Sequence, residues 1–290
     1  MKQLFSQPTA VALGVFDGVH LGHRAVLHTA LQLCRDGENI PCVFTFRKEE
    51  IISKKGAKYL YPFDMRCDMM SECGIRRFYC PSFAEMQAMS GRDFAKDILH
   101  EGMNAAHICC GKNFRFGASA SCDVHDLEQL GTEFGFQVHI VDDVQRDGMT
   151  VSSTEIRKLL SNGEIEKANQ FLGEPYRIYQ EVSHGAQLGR TIGFPTVNQL
   201  FREGQLVPRF GVYASETSVN GRWYPSLTNI GMKPTVNYAG LPLAETYIRE
   251  FSGDLYGKPL TVRLLRFIRP EMKFSSVEEL HKQMTKDLQS

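Results

Sequence analysis

The chain has 290 residues, of which 42% are hydrophobic and 23% charged, a composition of globular protein and not of disorder. Its 33 basic and 33 acidic residues cancel, and the parts on either side of Leu172/Gly173 carry −3 and +3, so neither has the basic excess of a nucleic-acid binder. No apolar run approaches the roughly 20 residues of a membrane span, and residues 1–8 lack the long apolar core of a signal peptide. A cytoplasmic protein without nucleic-acid or membrane partners is expected.

The first part alternates strands and helices. Residues 9–15 form an apolar run ending near glycine and read as a buried strand. Residues 22–35 have helical periodicity through Val26, Leu27, Ala30, Leu31 and Cys34, and residues 40–46 are the next strand. This β-α-β order implies parallel strands with a right-handed crossover. Residues 94–100 and 127–134 read as helices, and 106–110 and 137–141 as strands. All 8 cysteines lie between Cys34 and Cys122 without a C-x-x-C pair, which in a reducing compartment predicts free, mostly buried thiols.

Helices over 153–160 and 164–171 lead to Leu172-Gly173-Glu174-Pro175, a boundary signal. Beyond it the pattern changes to short strands and glycine turns. Residues 211–219 alternate, and Asn220-Gly221 is a strong hairpin turn. Strands over 222–227, 245–251 and 260–268 follow, then a helix over 276–288 capped by Ser275 or Ser276. Many short strands at close intervals predict a small closed β-barrel. The expected domains are therefore residues 1–172 and 173–290.

The strongest signal in the first domain is Gly14-Val15-Phe16-Asp17-Gly18-Val19-His20-Leu21-Gly22-His23, at a strand-to-helix junction. Its glycines allow a tight turn and close approach to a ligand. The helix start offers free N–H groups to phosphate. His20 and His23 are three apart and can share one face. A second segment, Ser152-Ser153-Thr154-Glu155-Ile156-Arg157, opens another helix with hydroxyls and a guanidinium. Together these residues resemble the HxGH nucleotidyltransferases, and in detail the FMN adenylyltransferase module of bacterial FAD synthetases. Gly111-Lys112-Asn113-Phe114-Arg115-Phe116-Gly117 also matches that family. The resemblance implies a Rossmann-like α/β layer in which Gly14, Phe16, Asp17, Gly18, His20, Gly22, His23, Asn113, Ser152, Ser153, Thr154 and Arg157 bind ATP, with His20, His23 and Arg157 acting in catalysis. The chemistry agrees: the phosphate of FMN is already anionic and attacks the α-phosphorus without a base, so alignment and charge neutralisation are the task.

One segment departs from that family. Thr45-Phe46 is followed by Arg47-Lys48-Glu49-Glu50 where a D-P-H-P-like stretch is usual.

The second domain carries Gly189-Arg190-Thr191-Ile192-Gly193-Phe194-Pro195-Thr196-Val197-Asn198. Thr196 and Asn198 are two apart, so in an extended segment their side chains face the same way. A hydroxyl and an amide oxygen are hard ligands suited to Mg²⁺. With Gly211-Val212-Tyr213-Ala214, Asn229-Ile230-Gly231-Met232-Lys233-Pro234-Thr235 and Glu245-Thr246-Tyr247-Ile248, the order and spacing closely resemble riboflavin kinase. That resemblance implies a small, mainly-β barrel kinase domain with a C-terminal helix. It places ATP and flavin against Gly189, Arg190, Gly193, Phe194, Pro195, Thr196, Asn198 and Glu245, gives Thr196 and Asn198 to Mg²⁺, and makes Glu245 the base. A base is useful here because the neutral ribityl alcohol must lose its proton during attack on the γ-phosphorus.

The whole chain thus resembles the bifunctional riboflavin kinase/FMN adenylyltransferases, which imply ATP, riboflavin and FMN as small-molecule substrates. Two other readings stand beside it: a monofunctional riboflavin kinase whose first domain only binds nucleotide, and a flavin-binding regulator without turnover.

Overall fold

The computed structural model describes residues 3–47, 58–183, 194–232 and 240–289. The chain divides into two compact units, Met1–Ser153 and Thr154–Ser290.

The first unit is built on a five-stranded parallel sheet in the order β3-β2-β1-β4-β5. Its strands are β1 (Thr9–Leu13), β2 (Ile40–Phe44), β3 (Arg77–Tyr79), β4 (Ala105–Gly111) and β5 (Gln137–Val141). Every residue of β1 is buried, as the centre of a parallel sheet covered on both faces requires. Helix α1 (Leu21–Gln32) links β1 to β2, and α2 (Phe63–Glu72) links β2 to β3. Further along, α3 (Phe83–Met86) and α4 (Gly91–Asp93) precede a π-helical segment, Phe94–Gly102. Then α5 (Val124–Phe134) joins β4 to β5, and a two-stranded ladder of β6 (Gln145–Arg146) and β7 (Met149–Thr150) completes the unit.

The predicted alternation is present, with shifted boundaries. Helix α5 begins three residues earlier than 127 because Asp123 caps it and Asp126 closes a capping box. Periodicity marks no element between residues 47 and 93, where α2, β3, α3 and α4 lie. Strand β3 is only three residues long, too short for a period to register. The eight cysteines are free, but only Cys42, Cys109 and Cys110 are buried and the other five are half-buried. The expectation of mostly buried thiols is corrected on that point.

The second unit opens within α6 (Ser153–Asn162), from Thr154 on, and continues with α7 (Ile165–Leu172), which packs on β8 and β13. Its sheet is antiparallel, six-stranded and ordered β8-β13-β10-β11-β12-β9. The strands are β8 (Tyr176–Glu181), β9 (Thr196–Leu200), β10 (Gly211–Val219), β11 (Arg222–Met232), β12 (Pro242–Ile248) and β13 (Pro259–Arg269). Asn220 and Gly221 both take positive φ, 51° and 80°, as the tight β10–β11 hairpin demands.

The predicted small barrel is present as a curled antiparallel sheet. The sheet curls until its edges meet at an isolated bridge between Ser183 and Asn198. The buried Gln199 side chain adds a clasp, donating to Gln180 O and Leu260 O at 2.8 Å each. Hydroxyls fill part of the interior: Ser215, Thr228 and Thr246 form a chain at 2.8 and 2.9 Å. Helix α8 (Val277–Asp287) closes the unit, capped by Ser276, whose side chain accepts from Glu279 N.

Candidate functional sites

In the first unit the strand order reverses direction between β1 and β4. Ligands of open parallel sheets bind in the crevice at the carboxyl ends of such strands. The Gly14–His23 segment leaves β1 at that end, and Asn113 leaves β4 there.

The loop is held in a demanding conformation. Phe16, Gly18 and Val19 have positive φ of 53°, 98° and 42°. For Phe and Val this costs about 1–3 kcal/mol each, so the surroundings must impose it. Asp17 is 2% exposed and its Oδ1 accepts from Leu60 N at 2.9 Å. Ser153 Oγ donates to Asp17 O at 2.7 Å, tying the second hydroxyl segment to the first motif. His20 is the N-cap of α1, accepting the His23 N–H on Nδ1 at 3.3 Å. The two imidazoles stack, 3.6 Å between centroids and 18° between planes. They share one face, as their spacing predicted. Gly22 leaves the pair room: a Cβ there would lie 3.2 Å from the His20 ring.

Asn113 is exposed and lines a cavity of about 680 Å³, which Gly14 and Val15 also line. Six phenylalanines dominate its wall: Phe44, Phe46, Phe83, Phe94, Phe114 and Phe116. The sequence reading missed this aromatic lining, because its members come from separate elements. Ser152 is half-buried. Thr154 and Arg157 lie on α6, counted with the second unit; Thr154 is exposed and Arg157 half-buried. Arg47, from the divergent segment, is exposed and lies 4.4 Å above the Phe63 ring.

In the second unit three strands set the site. Asn198 on β9, Glu245 on β12 and Asn229 on β11 are successive register partners, so they form one row across the sheet. Thr196 Oγ1 donates to Glu245 Oε1 at 2.9 Å. Asn198 is 5% exposed, and its Oδ1 has no hydrogen-bond partner among the described residues. A buried amide oxygen left without a donor is costly unless a ligand meets it.

Two cavities adjoin this row. One, of about 270 Å³, is lined by Glu245, Thr196, Asn229, Tyr247, Phe194 and residues of α8. The other, of about 310 Å³, is lined by Pro195, Thr196, Val197, Phe251, Gly253 and Tyr256. Thr196 belongs to both walls. Arg269 on β13 grips Asp287 on α8 at 2.8–3.1 Å and holds the helix beside the first of these cavities. Phe194 packs on Tyr247 and on His281 of α8, each 5.0 Å between centroids. Sequence spacing did not reveal these α8 partners, which are brought in from about 90 residues away by the fold. Gly189, Arg190 and Gly193 lie outside the described residues.

The comparisons with known proteins divide the chain in the same way. The family model for FAD synthetase matches residues 2–155, and that for riboflavin kinase matches residues 172–290. A bifunctional riboflavin kinase/FMN adenylyltransferase of Listeria monocytogenes is 35% identical over 96% of this chain and 90% of its own. Those of Escherichia coli K12 and Bacillus subtilis are each 33% identical, covering 99% and 97% of this chain and 93% and 90% of theirs. The chain belongs to this bifunctional family. It is an enzyme with both a riboflavin kinase and an FMN adenylyltransferase domain, and both activities consume ATP. Matches along the whole length to proteins with both activities favour this reading over a monofunctional kinase or a non-catalytic flavin binder. A crystal structure described as a macrolide-efflux protein from Streptococcus pneumoniae also superposes, with TM-score 0.86, 28% identity, and 98% and 94% of the two chains covered. Among the described residues of this family member no helix is long and apolar enough to cross a membrane.

Proposed function

We propose that the two domains act in succession through the residues located above, the second making FMN and the first making FAD. In the kinase domain, riboflavin takes the cavity that Glu245 faces and ATP the adjoining one. The observation that carries this is Thr196: it lines both cavities and is hydrogen-bonded to Glu245. Acceptor and donor would meet at that shared wall. Glu245 takes the proton of the ribityl primary alcohol as its oxygen bonds to the γ-phosphorus, and ADP leaves. Thr196 and the buried Asn198 Oδ1, which has no partner among the described residues, fit Mg²⁺, a hard cation that prefers oxygen ligands. Bound there, Mg²⁺ would neutralise phosphate charge.

In the adenylyltransferase domain the aromatic cavity takes the flavin ring, and its volume of about 680 Å³ suits a ligand of that size. His20, His23, Asn113, Ser152 and Ser153 hold the triphosphate. An FMN phosphate oxygen attacks the α-phosphorus and pyrophosphate leaves, with no side chain needed as base. We place the functional division at Leu172/Gly173, supported by the start of the kinase match at residue 172, and the reactions in the cytoplasm.

The test is to supply riboflavin, ATP and Mg²⁺ and resolve riboflavin, FMN and FAD over time. FMN should rise first and FAD follow. A His20→Ala enzyme should stop at FMN. FMN without FAD in the wild type would overturn the first-domain reading, and no FMN would overturn the second.

A further inference from the structure

We propose that Arg66 is a positioning residue for adenylyl transfer, fixing the ends of β1 and β2 where the phosphate loop meets the aromatic cavity. The inference rests on the adenylyltransferase reading of the first domain. Arg66 belongs to none of the motifs singled out in the sequence. It sits in α2 and is 0% exposed, the largest fully buried side chain among the described residues. A buried guanidinium is tolerated only where its donors are used.

The two Nη groups of Arg66 go to two places that matter. Nη1 donates to Val15 O, and Nη2 donates to Phe46 O at 3.2 Å. Val15 and Phe46 both line the aromatic cavity, and they follow β1 and β2 directly. The guanidinium therefore spans two adjacent strand ends, which the single ammonium of a lysine does less well. The Phe63 ring lies 5.3 Å from its central carbon.

Holding Val15 O also sets the plane of the peptide that leads into Phe16, whose φ is +53°. That is the first strained residue of the phosphate loop. Thr45 Oγ1 donates to the same carbonyl at 3.2 Å, a second grip on it. The same α2 region grips the loop once more, through Leu60 N and the Asp17 carboxylate. A strained loop is kept in place by these contacts. Losing one would let the histidine turn and the cavity wall move apart.

The experiment uses the full-length enzyme and both reactions. Arg66→Met, Arg66→Lys and Thr45→Val are assayed for FAD formation from FMN, ATP and Mg²⁺, and for FMN formation from riboflavin as an internal control. Arg66→Met is expected to lower kcat/KM for FAD formation about 10- to 100-fold, with a higher KM for FMN, as a misplaced site does. Kinase turnover should stay at the wild-type level. Arg66→Lys should recover part of the loss. Thr45→Val, which removes no charge, should shift FAD formation in the same direction by a smaller factor. Folded Arg66→Met with wild-type FAD formation overturns the proposal, as does a proportional fall in kinase turnover. If Arg66→Met does not fold, Thr45→Val decides, and unchanged FAD formation there overturns it. A wild-type enzyme that makes FMN but no FAD would sink the adenylyltransferase reading itself.

Discussion

Asn198 and Glu245 face each other as direct partners in the β9–β12 register, the one with a buried amide oxygen that has no partner among the described residues, the other holding the Thr196 hydroxyl at 2.9 Å. A carboxylate and a ligand-ready oxygen are thereby fixed on rigid strands instead of a loop, which favours precise alignment. The two residues predict different losses.

Glu245→Gln keeps the shape of the side chain and removes its basicity. FMN formation should fall by about 10²- to 10⁴-fold, the usual worth of a general base. FAD formation from supplied FMN should be unchanged. Assaying the two reactions separately by flavin chromatography checks both statements. Unchanged FMN formation would remove Glu245 from the role of base.

Asn198→Ala deletes an oxygen that the described protein does not satisfy. The folded state should lose little, and thermal unfolding should move by no more than about 1 kcal/mol, the worth of a typical hydrogen bond. The Mg²⁺ concentration for half-maximal kinase activity should rise. A Mg²⁺ titration of activity beside a melting curve separates the two effects. A large drop in stability with unaltered Mg²⁺ dependence would make Asn198 a structural residue of the sheet seam.

Gly22→Ala sets two effects against each other. Alanine favours helix by about 1 kcal/mol over glycine. Its Cβ would also press on the His20 ring from 3.2 Å. FAD formation should fall while the melting temperature holds or rises, and kinase activity should not change. An enzyme with full FAD formation would show that the stacked histidine pair tolerates displacement.

Acid should weaken the first domain through His139. Its imidazole is held below the ordinary value of 6.5, first by burial and then by the neighbouring His107, 3.1 Å away. The unfolded chain then binds more protons than the folded one between the lowered and the ordinary pKa. Stability should fall as pH drops through about 6.5 and level off below the folded pKa. Urea unfolding at about pH 7.5 and about pH 5.5 should show this fall, and His139→Gln should reduce it. An identical fall in the variant would exclude His139 as its source.

Burial pushes the thiols of Cys42, Cys109 and Cys110 up to about 12. Since the thiolate is the nucleophile, these three should resist a thiol-specific disulfide reagent near neutral pH in the native enzyme. They should react on unfolding. Mass spectrometry of labelled peptides identifies which cysteines are protected.

Much of this was legible in the chain order of the residues. The strand–glycine–helix junction at Gly14–His23 is marked by residues close in the chain, and the His20–His23 stack agrees with their spacing of three. The Asn220-Gly221 turn fixed the β10–β11 hairpin for the same local reason. The Thr196-x-Asn198 pair and Glu245 were visible as residue types suited to a metal and a base. Less was visible where the contact is distant. Arg66 reaches Val15 across 51 positions, and the Arg269–Asp287 grip, Phe194–His281 contact and phenylalanine cavity join separate elements.

The amino-acid sequence by itself determined much of the succession of elements, from the alternating strands and helices of the first unit to the hairpin and strands of the second, because periodicity, turns and caps depend on residues close in the chain. Tertiary structure decided that the strand order of the parallel sheet reverses beside β1, that the second sheet curls until Ser183 and Asn198 bridge its edges, and that Thr196 stands in the wall of two cavities. Those outcomes depend on strand register and on side chains arriving from far along the chain, and no short window of sequence holds both partners.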